Sequence, residues 1–210
     1  MSDVLTLDDV RLGGKVVLYR VDVNSPLEPS SGAFLDDSRL RAIIPTLRTL
    51  QNSKVVMLGH QSRPGKIDFT NMEQHADRIS RLIGKKVKFV SDICGDEAIS
   101  SIKSLKIGEM LFLDNIRMHE DENSMKKASL EETAQSEIVR KLSSVIDVYV
   151  TDAFAASHRN SPSLTGFYDS VPCIAGHLMS KEISNLQIAV NDPPRPYIAI
   201  LGGTKCDDSL

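Results

Sequence analysis

Short apolar runs recur along the chain, and each gives way to polar, anion-seeking residues. Val16-Val17-Leu18-Tyr19 leads into Arg20-Val21-Asp22-Val23-Asn24, and Val55-Val56-Met57-Leu58 into Gly59-His60-Gln61-Ser62-Arg63-Pro64. Met110-Leu111-Phe112-Leu113 leads into Asp114-Asn115-Ile116-Arg117, and Val148-Tyr149-Val150 into Thr151-Asp152-Ala153-Phe154, with His158 and Arg159 soon after. Tyr197-Ile198-Ala199-Ile200-Leu201 meets Gly202-Gly203-Thr204-Lys205. Runs of this length, bounded by turn-forming residues, predict buried strands. In an open α/β sheet, ligands bind outside the carboxyl ends of the strands. Cations gathered there from distant segments form one anion-binding cleft. Five unrelated solvated loops are the alternative, and the better account of any single arginine; the repetition favours the cleft.

Helical spacing fills the intervals. Leu40, Ile43, Ile44, Leu47 and Leu50 predict a helix that Pro45 kinks or delays, after a turn-rich stretch over 26–37 that suits a hairpin. Thr70-Asn71-Met72-Glu73 matches a capping box ahead of Met72, Ala76, Ile79 and Ile83, and Gly84 follows as a stop. A short strand over 87–90, a helix over 96–105 and a strand over 110–117 come next. Ser129-Leu130-Glu131-Glu132 is a second capping box, whose helix sets Leu130, Ala134, Ile138 and Leu142 in register before a strand over 145–150. Strands separated by helices of this length are βαβ units, and they imply an α/β fold with a mainly parallel sheet covered on both faces.

Near residue 170 the pattern changes. Met179, Ile183, Leu186 and Val190 predict a helix that Asn191-Asp192-Pro193-Pro194-Arg195-Pro196 breaks. The strand from Tyr197 then has no sequence left to supply its sheet partners or a helix behind its glycines. The expectation is a truncated start of a second α/β domain.

Composition narrows the function classes. With 41% apolar residues, 25% charged residues and a net charge of −3, the 210-residue chain carries no basic excess for nucleic acid or a membrane surface. Cys94, Cys173 and Cys206 are widely spaced and include no CxxC pair, which suits a reducing cytoplasm. No apolar run approaches the ~20 residues of a membrane helix, and the first residues show no secretory pattern.

Arginine suits carboxylate and phosphate because its planar fork donates two parallel hydrogen bonds and stays charged. Arg39, Arg63, Arg117 and Arg159 are the candidates for such a clamp, expected to converge on one cleft. Arg20, further back on its strand, reads either as a member or as a buried ion-pair partner. Asp22 and Asn24 accept from a ligand hydroxyl or orient arginines. His60 and His158 have no HxH or HExxH spacing for a metal. His75 reads as a core or half-exposed histidine, while His119 and His177 lack context. No serine or cysteine has a base placed beside it. Gly202-Gly203-Thr204-Lys205 is suggestive of phosphate binding but lacks the Walker pattern.

Taken together these segments resemble phosphoglycerate kinases. Arg20-Val21-Asp22-Val23-Asn24-Ser25-Pro26 resembles that family's RVDFNVP, and Asp36-Asp37-Ser38-Arg39-Leu40-Arg41 its DxxRIR. Gly59-His60-Gln61-Ser62-Arg63-Pro64 resembles SHLGRP, Leu113-Asp114-Asn115-Ile116-Arg117-Met118 resembles LENLRF, and the stretch 151–159 resembles NDAFGTAHR. Leu201-Gly202-Gly203-Thr204-Lys205 resembles LGGAK, and the variants GHQSRPGK, DAFAASHR and DDS look like the archaeal branch. Val23 and Ser25 depart from the usual Phe and Val, Asp114 from Glu and Thr151 from Asn. Ser209 stands where many members carry a lysine.

The resemblance implies a Rossmann-like N-terminal half. Residues 1–172 would bind 3-phosphoglycerate or 1,3-bisphosphoglycerate, 173–196 would form an interdomain helix and hinge, and 197–210 would begin the nucleotide domain. Asp22 and Asn24 would meet the glycerate end. Arg39 would lie beside the acyl phosphate as a catalytic group, and His60, Gln61, Ser62 and Arg63 would line the site. Arg117 and Arg159 would hold the substrate phosphate, with His158 in support. Gly203, Thr204 and Lys205 would serve the nucleotide, Lys205 with a catalytic share. ATP or ADP and Mg²⁺ would serve the full-length enzyme in phosphoryl transfer between 1,3-bisphosphoglycerate and ADP, and none would bind tightly to these 210 residues alone. The implied partner is the missing C-terminal half, with no nucleic acid and no membrane, in the cytoplasm. On this reading the chain binds 3-phosphoglycerate without turnover, and its tail from Tyr197 is disordered or pairs with another molecule. A free-standing phosphoacid-binding module is the alternative from another class; a phosphatase would need a nucleophile or metal cluster.

Overall fold

The computed structural model describes residues 4–198 and 200. Its strands are β1 (Val16–Arg20), β2 (Lys54–Leu58), β3 (Val87–Val90), β4 (Met110–Leu113), β5 (Val148–Thr151) and β6 (Cys173–Ala175). They form one sheet in the order β3-β4-β2-β1-β5-β6, with every pairing parallel. Around it lie α1 (Ser38–Ala42), α2 (Ile44–Thr49), α3 (Glu73–Ile83), α4 (Asp96–Ser104), α5 (Glu120–Ser124), α6 (Leu130–Ala134), α7 (Glu137–Ser143), α8 (Pro162–Thr165) and α9 (His177–Asn191).

Alternate residues of a strand point to opposite faces, so a sheet covered on both sides needs apolar residues throughout. One face sets Val17, Tyr19, Val55, Met57, Phe112 and Val150 against Leu40, Ile43, Leu47, Ala76 and Ile79 of α1, α2 and α3. The other sets Leu18, Val56, Leu58, Leu111 and Tyr149 against Ala98 and Ile102 of α4 and Ile138, Val139 and Leu142 of α7. The α/β fold with its parallel sheet is as the periodicity predicts.

The differences are local. The helix over 40–50 is two short ones meeting at Ile43, with Pro45 in the first turn of α2, where its missing N–H costs no hydrogen bond. No capping box forms at Thr70: α3 begins at Glu73, and it is Asn71 that accepts the Glu73 N–H at 3.2 Å. Gly84 does end α3, in the left-handed region at φ 68°. The box at Ser129 is complete, but its helix stops at Ala134 and α7 restarts under a Ser136 cap. Leu130 is therefore exposed, and the buried turn is carried by Thr133. β4 stops well short of 117, because Asp114 and Asn115 turn their polar atoms inward to loops, and the strand expected over 145–150 is Val148–Thr151. The hairpin over 26–37 closes through one antiparallel bridge, Leu27 to Phe34. Residues 173–175, expected within the interdomain segment, instead supply β6. Tyr197, Ile198 and Ile200 belong to no strand among the described residues and are exposed.

Asp152, directly after β5, fastens the layers. Its Oδ2 accepts from the Tyr19 hydroxyl on β1 and the Thr46 hydroxyl on α2, both at 2.6 Å, and its Oδ1 accepts from the Met179 N–H on α9 at 2.9 Å. A side chain at Gly176 would put its Cβ 2.2 Å from that Oδ1, so only glycine lets α9 begin there. Replacing Asp152 by Ala should orphan three buried donors and lower unfolding free energy by roughly 3 kcal/mol or more. Tyr19→Phe removes one donor and should cost about 1 kcal/mol. Urea titrations check both, and equal losses in the two variants would show that the carboxylate is not the shared acceptor.

Candidate functional site

β1 and β5 are neighbours whose onward connections leave to opposite sides of the sheet, β1 toward β2 and β5 toward β6. Such a switch point opens a crevice at the carboxyl edge. A cavity of about 760 Å³ lies there, walled by Arg20, His60, Arg63, Arg117, His158 and Arg159, with Glu122, Asn123, Lys126, Asn160 and Ser161 among its other lining residues. Arg20 ends β1, His60 follows β2, Arg117 sits in the 3-10 turn after β4, and His158 and Arg159 follow the 3-10 turn after β5. Four arginines and Lys126 face the single carboxylate of Glu122. None of those five cations has an ion-pair partner within 4 Å among the described residues.

The excess of positive charge suits the cavity to an anion, and together with burial it shifts the titrating groups. Burial pushes His60 down to about 2, and Arg20, Arg117, Arg159 and Arg39 add to that in turn. His60 is therefore a neutral ring. Burial, then Arg159, lowers the Arg117 guanidinium from its ordinary value, with Glu122 opposing. It stays charged, as guanidinium does in proteins.

Neutral dipoles, rather than carboxylates, hold the cations in place. Ser62 takes the left-handed conformation at φ 54°, unusual for a residue with a side chain. Its N–H donates to Asn24 Oδ1 at 2.7 Å, its hydroxyl donates to Asp68, and its carbonyl accepts from Arg117 Nη1. Fully buried Asn115 donates to the carbonyls of Gln61 and Thr70, each at 2.8 Å, and accepts the Arg117 N–H at 3.2 Å.

The ten substrate-side candidates divide evenly. His60, Arg63, Arg117, His158 and Arg159 form the cavity wall. Asp22, Asn24, Arg39, Gln61 and Ser62 stand outside that wall. Arg39 is paired with Asp22, so the convergence expected of four arginines holds for three, with Arg39 still near enough to bear on His60. Gln61 is wholly buried, its amide spent on the Ser25 backbone (3.1 and 2.9 Å) and on His75 Nε2 (3.1 Å). It supports the loop and does not line the cavity. Arg20 is not a buried ion-pair partner: it donates to Ser163 Oγ at 3.1 Å and to the Val21 carbonyl. His75 is a core residue, edge-on to Phe34 with ring centroids 4.9 Å apart. Gly203, Thr204 and Lys205 lie outside the described residues.

Glu122, Lys126, Asn160 and Ser161 were not legible beforehand. Glu122 sits in a run of polar residues, Glu120-Asp121-Glu122-Asn123, with nothing local to set it apart. Among the described residues a nucleophile is no better supported. Burial raises the Cys94 thiol to about 11, and the His119 ring 3.5 Å away accepts the Asp121 N–H through Nδ1, leaving Nε2 to carry the proton rather than take one.

His60 and His75 also set a pH dependence. Burial holds them at about 2 and about 4, against 6.5 for a free ring. Below about 6.5 the unfolded chain takes up protons that the folded chain refuses. The stability these rings contribute is thus complete above that value and is lost as the pH falls toward the folded values, by up to about 1.4 kcal/mol per pH unit for each ring. Urea midpoints should drop from pH 7.5 to pH 5, and His60→Gln should remove a large part of the drop. An unchanged slope would mean His60 titrates alike in both states.

The comparisons with known proteins agree with this geometry. A family model described as phosphoglycerate kinase matches residues 7–210. The phosphoglycerate kinase of Methanothermobacter thermautotrophicus is 45% identical over 207 residues, which is 98% of this chain and 50% of that protein. That of Archaeoglobus fulgidus is 43% identical over 205 residues, 98% of this chain and 49% of that protein. The crystal structure of the phosphoglycerate kinase from Pyrococcus horikoshii superimposes with a TM-score of 0.92 at 42% identity, covering 98% of this chain and 50% of that one. The chain spans about half the length of the curated relatives it matches. With its parallel sheet, its arginine-lined cavity and this match across nearly its whole length, the chain belongs to the phosphoglycerate kinase family.

Proposed function

We propose that this chain is the substrate-binding portion of a phosphoglycerate kinase, taking 3-phosphoglycerate or 1,3-bisphosphoglycerate in the cavity at the sheet's carboxyl edge. The observation that carries the reading is the meeting of Arg63, Arg117 and Arg159 with Arg20 and His60 in one cavity, from four segments and without carboxylate partners. Arg117 and Arg159 hold the phosphate, His158 supports them, and His60 and Arg63 complete the wall. Asp22 and Asn24 act at the glycerate end, Asp22 by orienting Arg39 and Asn24 by holding the Ser62 backbone.

In the reaction the bond between the acyl oxygen and phosphorus breaks, the leaving group departs as the carboxylate of 3-phosphoglycerate, and a bond forms to the terminal oxygen of ADP. Such transfers need positioning and charge neutralisation more than covalent help. Arg39 is the group on this chain that meets the moving phosphoryl; its half-exposed side chain, paired with Asp22 outside the cavity wall, must move from that position for the task. In a chain of the family's full length, Mg²⁺ would accompany the nucleotide and would supply part of the charge neutralisation. Gly203, Thr204 and Lys205 serve the nucleotide side. The remaining length of the family's proteins supplies the rest of the nucleotide site, with the segment about α9 as hinge. A cytoplasmic location accords with Cys94 and Cys173 being free among the described residues; no described helix is long and apolar enough to cross a membrane.

Two experiments test this. Arg117→Ala should weaken 3-phosphoglycerate binding by about 2–5 kcal/mol, nearer the low end in so open a cavity, and exposed Arg159 should cost less. Calorimetric titration giving unchanged affinity in both variants would remove them from the site. In a chain of the family's full length, Arg39→Ala should lower turnover far more than it raises KM, and Arg39→Lys should rescue poorly because a point charge cannot reproduce the fork. Kinetics in which only KM rises would reassign Arg39 to ground-state binding.

A further inference from the structure

Glu122 is a carboxylate in a cavity built for anions, and it is 6% exposed. It repels the ligand that the arginines attract, and none of them is its ion-pair partner. Its bonds show what it does instead. Oε1 accepts from the hydroxyls of Ser161 at 2.9 Å and Ser163 at 2.7 Å, and Oε2 accepts from the Ser163 N–H at 3.0 Å. Ser163 has one hydroxyl proton and spends it on Glu122. Its lone pair is then free for Arg20 Nε, 3.1 Å away. Arg20 carries donors only. Its Nη2 stands 3.3 Å from His60 Nδ1, so that nitrogen is the acceptor and the ring proton sits on Nε2.

We propose that Glu122, acting through Ser163 and Arg20, is a positioning residue that fixes the tautomer of His60, so that the ring meets an anionic ligand with an N–H. The polarity runs one way along four segments, α5, α8, β1 and the loop after β2. Glu122 only accepts, and that acceptance turns the Ser163 proton away from Arg20. A hydroxyl turned the other way would set proton against proton at Nε. The opposite His60 tautomer would face Arg20 with an N–H and the ligand's oxygens with a lone pair, a mismatch at both ends. The charge that Glu122 adds to the site is the cost of that order.

The inference rests on reading the cavity as a phosphoglycerate subsite, and its test separates the two. The ¹⁵N shifts of the His60 imidazole, assigned by their absence in His60→Gln, report the tautomer without any ligand. The wild-type chain should show a protonated Nε2 and an unprotonated Nδ1. Ser163→Ala removes the relay, and Glu122→Gln puts an N–H where an oxygen stood. In both, Arg20 Nε loses the acceptor that anchors it, Nη2 is no longer held at His60 Nδ1, and mixed tautomers should result, with melting temperatures still showing a cooperative fold. Both should also weaken 3-phosphoglycerate binding by about tenfold, the scale of one hydrogen bond to a charged group. The double variant should be no worse than either alone, because the two act through one path. An unchanged tautomer in both variants overturns the proposal, and so does a loss of affinity without a tautomer change, which would make Glu122 a packing or charge residue only. Should Glu122→Gln not fold, Ser163→Ala decides alone. A wild-type chain that does not bind 3-phosphoglycerate refutes the subsite reading, while the imidazole shifts still judge the relay.

Discussion

Wholly buried Asp152 accepts three hydrogen bonds from β1, α2 and α9 at once, and the rest of the architecture is registered through that point. An isolated buried carboxylate is costly, and one with three directed donors is not. Its Tyr19 partner neighbours Arg20, the innermost cation of the cavity. Its Thr46 partner also accepts the His177 N–H at 3.0 Å, at the first residue of α9. The site and α9 are thus fixed from one side chain. Burial, followed by the nearby Asp152 charge, raises the Tyr19 hydroxyl well above its ordinary value, so it remains a donor there at any working pH.

The cavity follows a different rule. Arginines that were ion-paired would have little field left for a ligand, and arginines left loose would have no geometry. Here hydroxyls, amides and backbone carbonyls orient them: Ser62 and Asn115 for Arg117, Ser163 and Val21 for Arg20. Such a site keeps its charge while arranging it before the ligand arrives, which is the condition under which fixed dipoles and charges act strongly on a transferring group. The left-handed Ser62 belongs to the same arrangement. Its backbone is bent so that both N–H and carbonyl serve the cavity's frame.

The sheet was legible because its signal is local. Apolar runs such as 55–58 and 110–113 cannot be anything but buried when polar turns bound them on both sides. The second capping box was legible for the same reason, since Ser129 and Glu132 bond each other's backbone without help from the rest of the chain. The failure at Thr70 shows the limit. Its pattern was as good, but Asn115 takes the Thr70 carbonyl and Asp114 takes the Met72 N–H at 3.2 Å, so contacts from β4's end override the local motif. Helix continuity past Ala134 failed similarly, as Ser136 caps a new helix to seat Ile138, Val139 and Leu142 against the sheet.

By itself the sequence determined the parallel α/β sheet, the edge at which polar residues collect, and which arginines are available there, because periodicity, strand direction and side-chain charge are properties of short segments. Tertiary structure alone decided which of them share a cavity. Gln61 and Arg63 are two positions apart, yet one is sealed against His75 and the other walls the cavity. Nothing local sets Glu122 apart from its polar neighbours; α8 brings Ser163 to it across 41 residues. Burial, partner choice and the resulting protonation of His60 are set by groups that meet only when the chain closes on itself, and no local pattern encodes that meeting.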